Sequence, residues 1–206
     1  MNKSRFGKIV LTLVTVAFLA GGLTGVASAA DFKHYVVRVR GLAVIPNESA
    51  DSRLASLDLD VTNDVTPELD LEYYFSPRFS SELILGVTKH DIKANGQFAG
   101  STWLLPPTLT VKYHPFPNAK VSPYIGFGIN YVIPFDEKFN NVPDFNIDSS
   151  FGWAVQVGTD VALGNSWYAN FDVKYLNVET KARIAGTKYD LDLNPLVIGM
   201  GVGYRF

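Results

Sequence analysis

Histidine, serine and acidic side chains are the residues of this chain that could carry out acid-base or nucleophilic chemistry. The 206-residue sequence contains three histidines, His34, His90 and His114, and no cysteine. A serine-type hydrolase needs a nucleophile, a base and an acid that orients the base. His90 stands beside Asp91, but no serine occurs at a telling spacing, and a set that used a loop serine such as Ser101 would have to be assembled through space. The sequence therefore predicts no enzyme and no cofactor, and the isolated His90-Asp91 pair gives no case for a metal site.

Other charged residues follow a two-residue period, which is typical of β-strands with one charged and one apolar face. Arg38 and Arg40 alternate with apolar residues, and so do Glu68, Asp70 and Glu72. Successive side chains of a strand point to opposite faces. The charges carry both signs, and the stretches have the roughly 9 to 11 residues that a strand needs to cross a bilayer. We therefore expect the charges to point into a narrow barrel and the apolar residues to face lipid. A soluble lipocalin-like barrel, the alternative, would have the opposite orientation.

Eight stretches with this pattern define the predicted strands of the barrel. They cover residues 32–46, 67–76, 79–88, 105–114, 121–133, 150–163, 167–177 and 195–206. Short turns alternate with longer connections at residues 47–66, 89–104, 135–149 and 178–194. In outer-membrane barrels the short turns are periplasmic and the long loops are external, and aromatic residues form belts at both membrane boundaries. The predicted fold is all-β, an eight-stranded antiparallel transmembrane up-and-down barrel.

The beginning of the chain has the features of a secretory signal peptide. A basic start is followed by an apolar run and by the small residues Ala27, Ser28 and Ala29. We therefore predict a cleaved signal at residues 1–30, one barrel domain at residues 31–206, and a multi-pass location in the cell outer membrane after Sec-type export. Without the three basic residues of the signal, 15 basic residues remain against 20 acidic ones. This mild acidity argues against nucleic acid as a partner.

The inward-facing residues of the predicted barrel divide into a charged part and an apolar part. A barrel of this size is only wide enough for its own side chains, so a wide water-filled pore is not expected. Unpaired buried charges are costly. Six charged residues are therefore predicted to pair into a polar plug: Arg38, Arg40, Glu68, Asp70, Glu72 and Arg205. Seven residues of the upper barrel and its loops are predicted to line a hydrophobic channel: Leu42, Val44, Ile84, Val132, Leu54, Leu57 and Trp103. The alternative for the plug residues is that they form structural ion pairs without a role in transport. The alternative for the apolar loop residues is that they form small cores that hold the loops together.

Two consecutive prolines mark a possible weak point in the barrel wall. Proline cannot donate a hydrogen bond to a strand ladder, so Pro106 and Pro107 should weaken the pairing of the fourth predicted strand with the third or the fifth. We take Leu105, Pro106 and Pro107 as a candidate lateral opening. A simple bulge or the start of a strand is the alternative.

Several motifs resemble the OmpW family of eight-stranded outer-membrane proteins. They lie at residues 36–40 (Val-Val-Arg-Val-Arg), 66–75, 104–109, 123–131 (Pro-Tyr-Ile-Gly-Phe-Gly-Ile-Asn-Tyr) and 203–206. The last motif resembles the terminal strand by which outer-membrane barrels are presented to the barrel-assembly machinery. Tyr204 and Phe206 are accordingly predicted to be an assembly signal.

The resemblance also implies a function and a set of partners. It implies a narrow hydrophobic channel that small apolar molecules enter from the external mouth and leave laterally into the membrane. The expected partners are outer-membrane lipid, small hydrophobic solutes and, during biogenesis, the assembly machinery. The alternative function is that of a structural or adhesive barrel, similar to OmpX, whose external loops bind a partner.

Overall fold

The computed structural model describes most of the predicted barrel domain. The described residues are 32–47, 49–50, 59–94, 96–139, 146–184 and 186–206. The predicted signal at residues 1–30 and the predicted channel residues Leu54 and Leu57 lie outside these ranges.

The described residues form antiparallel strands joined by turns. These strands are β1 (Tyr35–Ile45), β2 (Ser49–Ala50), β3 (Leu59–Val61), β4 (Asp64–Ser76), β5 (Phe79–Gly86), β6 (Thr88–Ala94), β7 (Gln97–Leu105), β8 (Thr108–Tyr113), β9 (Val121–Phe139), β10 (Asn146–Ile147), β11 (Ser150–Gly164), β12 (Trp167–Leu176), β13 (Glu179–Ile184), β14 (Thr187–Asp192) and β15 (Leu196–Arg205). No helix among the described residues is long and apolar enough to cross a membrane.

Eight of these strands form a closed barrel. Their order is β11, β12, β15, β1, β4, β5, β8 and β9, and β9 pairs in turn with β11 to close the circle. All neighbours are antiparallel. The predicted fold class is confirmed. Closure is the condition for crossing lipid with strands, because the backbone polar groups of each strand then find partners on the strands at both sides.

The two faces of the barrel wall have the orientation that the alternation predicts. On the outer face Val39, Val111 and Phe127 are 53%, 54% and 62% exposed. On the inner face Arg38 and Asp70 are fully buried. An apolar exterior around a charged interior suits a hydrocarbon solvent and excludes the lipocalin-like alternative, in which apolar residues fill the centre.

Aromatic side chains form belts near both ends of the barrel. At the end that carries both described termini, neighbouring rings are in contact: Trp167 with Tyr204 (centroids 5.1 Å apart), Tyr204 with Phe206 (6.3 Å), Phe206 with Tyr35 (6.0 Å), and Tyr35 with Tyr73 (5.2 Å). At the other end Tyr131 contacts Phe151 (4.4 Å) and Trp153 contacts Tyr175 (5.4 Å). Such belts are typical of the two interfaces of a membrane.

Two predicted external loops contain strand hairpins, of which one continues the barrel sheet and the other belongs to a separate four-stranded sheet. The segment 89–104 lies within the β6–β7 hairpin, and the segment 178–194 contains the β13–β14 hairpin. Gly96 and Gly186 have positive φ angles of 73° and 81° at the tips. The Asn-Gly pair at residues 95–96 is a sequence signal for a tight hairpin turn that would have predicted the first one.

The prediction of a continuous fourth strand at residues 105–114 was also wrong. Leu105 ends β7, and β8 begins at Thr108. The prolines between them cannot donate to a ladder. We call the eight crossings of the barrel wall, counted along the chain, its wall segments. The third wall segment consists of β5 and β6, and the fourth consists of β7 and β8.

Candidate functional site

The barrel interior has a charged layer and an apolar layer, and the order of residues along each strand creates them. On β1 the inward residues Arg38 and Arg40 are followed by Leu42 and Val44. On β12 the inward Lys174 is followed by the buried Leu176. Because neighbouring strands are antiparallel and in register, residues of like character lie at the same height. The charged layer is therefore nearer the described termini and the apolar layer nearer the hairpins.

The charged layer consists of two parts, which we call the lower and the upper charged layer. Arg38 is the centre of the lower charged layer. Its guanidinium forms ion pairs with Glu82 and with Glu72 (Nη2 to Oε2, 2.8 Å), and Asp160 lies 3.6 Å away. The same Nη2 donates to the hydroxyl of Tyr168 at 3.1 Å. Several acceptors around one buried cation offset the cost of removing it from water.

Arg40 is the centre of the upper charged layer. Its Nη2 lies 2.6 Å from Glu68, its Nε 2.9 Å from Asp70, and its Nη1 3.4 Å from Asp172. Lys174 completes this set, with its Nζ 3.0 Å from Glu68 and 2.8 Å from Asp172. The layer therefore links side chains from β1, β4 and β12 into one network.

Five of the six predicted plug residues meet in this network, and one does not. Arg205 has its guanidinium carbon 3.8 Å from the ring centroid of Tyr74, and no ion pair joins it to the others among the described contacts. Five network residues were missing from the predicted plug: Glu82, Lys112, Asp160, Asp172 and Lys174. All five stand on the inward parity of their strands, so the alternation itself was the signal that could have included them.

The three histidines bind structural partners. His34 Nδ1 donates to the carbonyl of Tyr74 at 2.7 Å. His114 Nε2 lies 3.2 Å from both Tyr74 Oη and Ser80 Oγ. His90 uses Nδ1 on the carbonyl of Thr62 (2.8 Å) and Nε2 on the hydroxyl of Thr88 (3.1 Å). Both ring nitrogens of His90 are thus occupied without a serine, and the contacts of the described residues give no positive evidence of catalysis.

A cavity of about 60 Å³ lies directly above the charged layers. Its walls are mainly apolar and include four of the predicted channel residues, Leu42, Val44, Ile84 and Val132. Trp103, also predicted to line the channel, instead stacks against Phe135 with ring centroids 6.3 Å apart. The reason is strand alternation, since the next residue, Leu104, lines the cavity and consecutive residues face opposite ways.

The strand ladder is interrupted where the wall touches this cavity. The third and fourth wall segments are paired up to Ile84 and Thr108, and pairing resumes at Thr88 and Leu104. Between these points, residues 85–87 and 105–107 form no ladder pairs with each other in the described structure. We call these two opposed stretches the ladder gap. Gly86 and Pro106 belong to it, and both line the cavity.

The other side of the fourth segment remains paired. Leu105 pairs with Ile133, and the amide of Tyr131 donates to the carbonyl of Pro107 at 3.0 Å. The sequence left open whether the prolines weaken pairing with the third or the fifth strand. The structure places the interruption on the side of the third.

A closed barrel with an apolar exterior, aromatic belts and a charged interior defines an outer-membrane β-barrel protein. The sequence profile of the OmpW family matches residues 32–206, and the chain belongs to the OmpW family. The chain is 34% identical to outer membrane protein W of Vibrio cholerae, over 89% of this chain and 95% of that protein. The crystal structure of the outer membrane protein OprG from Pseudomonas aeruginosa is similar, with a TM-score of 0.76 and 26% identity over 84% of this chain and 96% of that one.

One relative has a name that refers to metabolism. It is the dibenzothiophene metabolism operon protein PahQ of Pseudomonas aeruginosa, which is 26% identical over 90% of this chain and 86% of its own length.

Proposed function

We propose that this protein is a narrow hydrophobic channel of the outer membrane. Small apolar molecules enter the cavity from the external mouth and leave laterally, through the ladder gap, into the membrane. The observation that carries this proposal is the position of Gly86 and Pro106, which lie opposite each other in the ladder gap and both line the apolar cavity.

The charged layers support a lateral route because they lie across the direct one. Below the cavity, the fully buried Arg38, Arg40 and Lys112 are paired with carboxylates. An apolar solute that passed straight through would have to separate these ion pairs without replacing their partners, at a cost of several kcal/mol for each buried charge. The five predicted plug residues that join the network have this blocking role in our proposal.

The ladder gap supports a lateral exit because the wall there lacks the backbone hydrogen bonds that join neighbouring strands elsewhere. Backbone hydrogen bonds between strands are the main obstacle to parting a barrel wall in lipid, where no water replaces them. Leu105, Pro106 and Pro107 form one edge of the gap, as the predicted lateral opening requires. The name of the PahQ relative supports the substrate class, because dibenzothiophene is an apolar aromatic compound.

The test is uptake of radiolabelled dibenzothiophene by Gram-negative cells that express the barrel, against cells with an empty vector. We expect a higher initial rate with the barrel. Gly86→Phe places a ring in the cavity and should abolish the increase. Gly41→Phe is the matched control, because a Cβ at Gly41 would meet nothing within 4 Å and the residue is exposed on the wall. Equal uptake with and without the barrel, or equal uptake by both variants, would refute the proposal.

A further inference from the structure

We propose that the floor of the apolar cavity recognises a hydrogen-bond donor, and that the preferred substrates are therefore small primary alcohols rather than plain hydrocarbons. This inference rests on the proposed function and specifies its substrate class. It concerns Glu68 and Lys174, which are the only Asp, Glu, Lys or Arg side chains among the described residues that line the cavity.

The two carboxylate oxygens of Glu68 have different surroundings. Oε1 lies 2.6 Å from Arg40 Nη2 and accepts a hydrogen bond of 3.0 Å from Lys174 Nζ. Oε2 lies 3.9 Å from the position that a Cβ on Gly86 would occupy, on the cavity side. No hydrogen bond to Oε2 occurs among the described residues. One oxygen of a 4% exposed carboxylate is therefore available as an acceptor inside an apolar cavity.

Such an acceptor is worth more in this cavity than at the protein surface. Water screens a surface carboxylate, whereas a hydrogen bond to a charged group in a poorly hydrated site is among the stronger ones. A ligand that donates one hydrogen bond and is otherwise apolar would satisfy Oε2 and fill the cavity with its chain. A plain hydrocarbon would leave Oε2 without a partner.

The charges at the floor decide between uncharged and charged head groups. Arg40 and Lys174 face three carboxylates there, those of Glu68, Asp70 and Asp172. An anionic head group such as a fatty-acid carboxylate would be repelled by the carboxylate of Glu68, and Lys174, which also lines the cavity, is already paired with Glu68 and Asp172. A cationic head group would have to lose its hydration shell to enter an apolar cavity, which is costly. A hydroxyl group avoids both penalties.

The experiment compares two isomers that differ only in the donor, 1-hexanol and methyl pentyl ether. Each radiolabelled compound is equilibrated by dialysis in sealed cells with lipid nanodiscs that contain the barrel, and with empty nanodiscs as the blank. We expect barrel-dependent binding of both compounds, with the alcohol bound about tenfold more tightly because of one hydrogen bond to a charged acceptor. Sodium hexanoate should bind more weakly than the alcohol.

A double variant, Glu68→Met with Lys174→Met, tests the assignment to Glu68. It removes one anion and one cation together, so Arg40 keeps Asp70 and Asp172 as partners. We expect it to bind the two isomers equally. The matched control is Lys181→Met with Asp190→Met, which removes an exposed ion pair of 3.1 Å on the β13–β14 hairpin and should keep the tenfold preference. The shift in gel mobility on heating shows which variants form the folded barrel.

The outcomes separate this inference from the proposed function. If neither isomer shows barrel-dependent binding, both fail. If the ether binds and the alcohol binds no better, or if the double variant folds and keeps the preference, the apolar cavity stands and donor recognition is wrong. If the double variant does not fold, the comparison of the isomers on the unmodified barrel still decides the inference.

Discussion

The carbonyl oxygen of Pro107 accepts a hydrogen bond of 3.0 Å from the amide of Tyr131. The N–H and C=O positions of one strand residue point to the same side, and the next residue points to the other. Pro107 therefore faces β9, and Pro106 faces the third wall segment, where Gly86 is its counterpart. The two neighbouring prolines thus remove donors from opposite sides of one strand.

This relationship predicts different effects for two otherwise identical substitutions. Pro106→Val supplies an N–H towards Gly86 and should close the ladder gap, because the register on both sides of the gap already matches. We expect the barrel-dependent uptake of dibenzothiophene to fall at least severalfold. The initial rate of uptake by cells measures the effect.

Pro107→Val is the control for that experiment. It supplies its new N–H towards β9, where the wall is already paired through Leu105 and Ile133. Uptake should remain close to that of the unmodified protein. Equal losses in both variants would mean that the gap is not the exit.

The charged interior predicts that removing one member of the network is far more harmful than removing a surface charge. Arg38→Met removes one of the two cations, Arg38 and Lys112, that Glu72 and Glu82 share at fully buried positions. The free energy of unfolding should fall by about 3 to 5 kcal/mol. Urea-induced unfolding in lipid vesicles measures this change.

The control for the network prediction is Lys181→Met, which breaks the exposed pair with Asp190. Exposed ion pairs contribute about 0 to 1 kcal/mol, so little change is expected. A similar, small effect for both substitutions would contradict a cooperative buried network.

Close approach of strands predicts that Gly201 cannot be replaced without moving the backbone. A Cβ there would lie 2.0 Å from the carbonyl oxygen of Val39 on the neighbouring strand. Gly201→Ala should lower the free energy of unfolding by about 1 to 3 kcal/mol, the usual range for overpacking. Gly41→Ala has free space around its Cβ and should be neutral in the same urea titration. The reverse order would show that β1 and β15 are not as close as described.

Asp148 lies just before β11, and its contact with the β13–β14 hairpin should depend on pH. The carboxylate of Asp148 accepts hydrogen bonds from Lys188 Nζ (3.1 Å) and Arg183 Nη2 (3.3 Å). The hydrogen bond from Lys188, aided by the positive charges of Lys188 and Arg183, lowers the pKa of Asp148 below its ordinary value of 3.8. A pKa that is lower in the folded state stabilises the hairpin above the ordinary value, and this stabilisation is lost as the pH falls through the lowered pKa.

Hydrogen exchange in lipid nanodiscs tests this contact. Protection of the β13 amides, corrected for intrinsic rates, should decrease between pH 5 and a pH near 2. Asp148→Asn should show the lower protection at both values. The exposed position of Asp148 keeps the effect small and sensitive to salt. A variant with unchanged protection at pH 5 would rule out a stabilising contact.

The strand faces could be predicted from the sequence because they depend on local alternation alone. Val39 is exposed and Arg38 is buried for the same reason that any two consecutive strand residues differ. Leu42, Val44, Ile84 and Val132 line the cavity for the same reason, whereas Trp103, which was assigned from its loop position instead of its parity, does not line it.

Features that depend on the pairing between strands could not be read from single segments. Periodicity shows that Lys174 points inward, but only the register between strands places its ammonium beside Glu68 rather than another carboxylate. In the same way, two prolines predict a weakness, but only the contact of Pro107 with Tyr131 shows on which side it falls. The stacking of Arg205 on Tyr74, outside the network, also depends on a neighbouring strand.

The stretches 85–87 and 105–107 contain equal numbers of residues between matching pairs below and above them. Strands that part over this length need not slide past each other, so the same partners meet again when they come together. In the channel that we propose, a wall that parts here to release a solute reseals in a single alignment, and the bilayer keeps its barrier to ions.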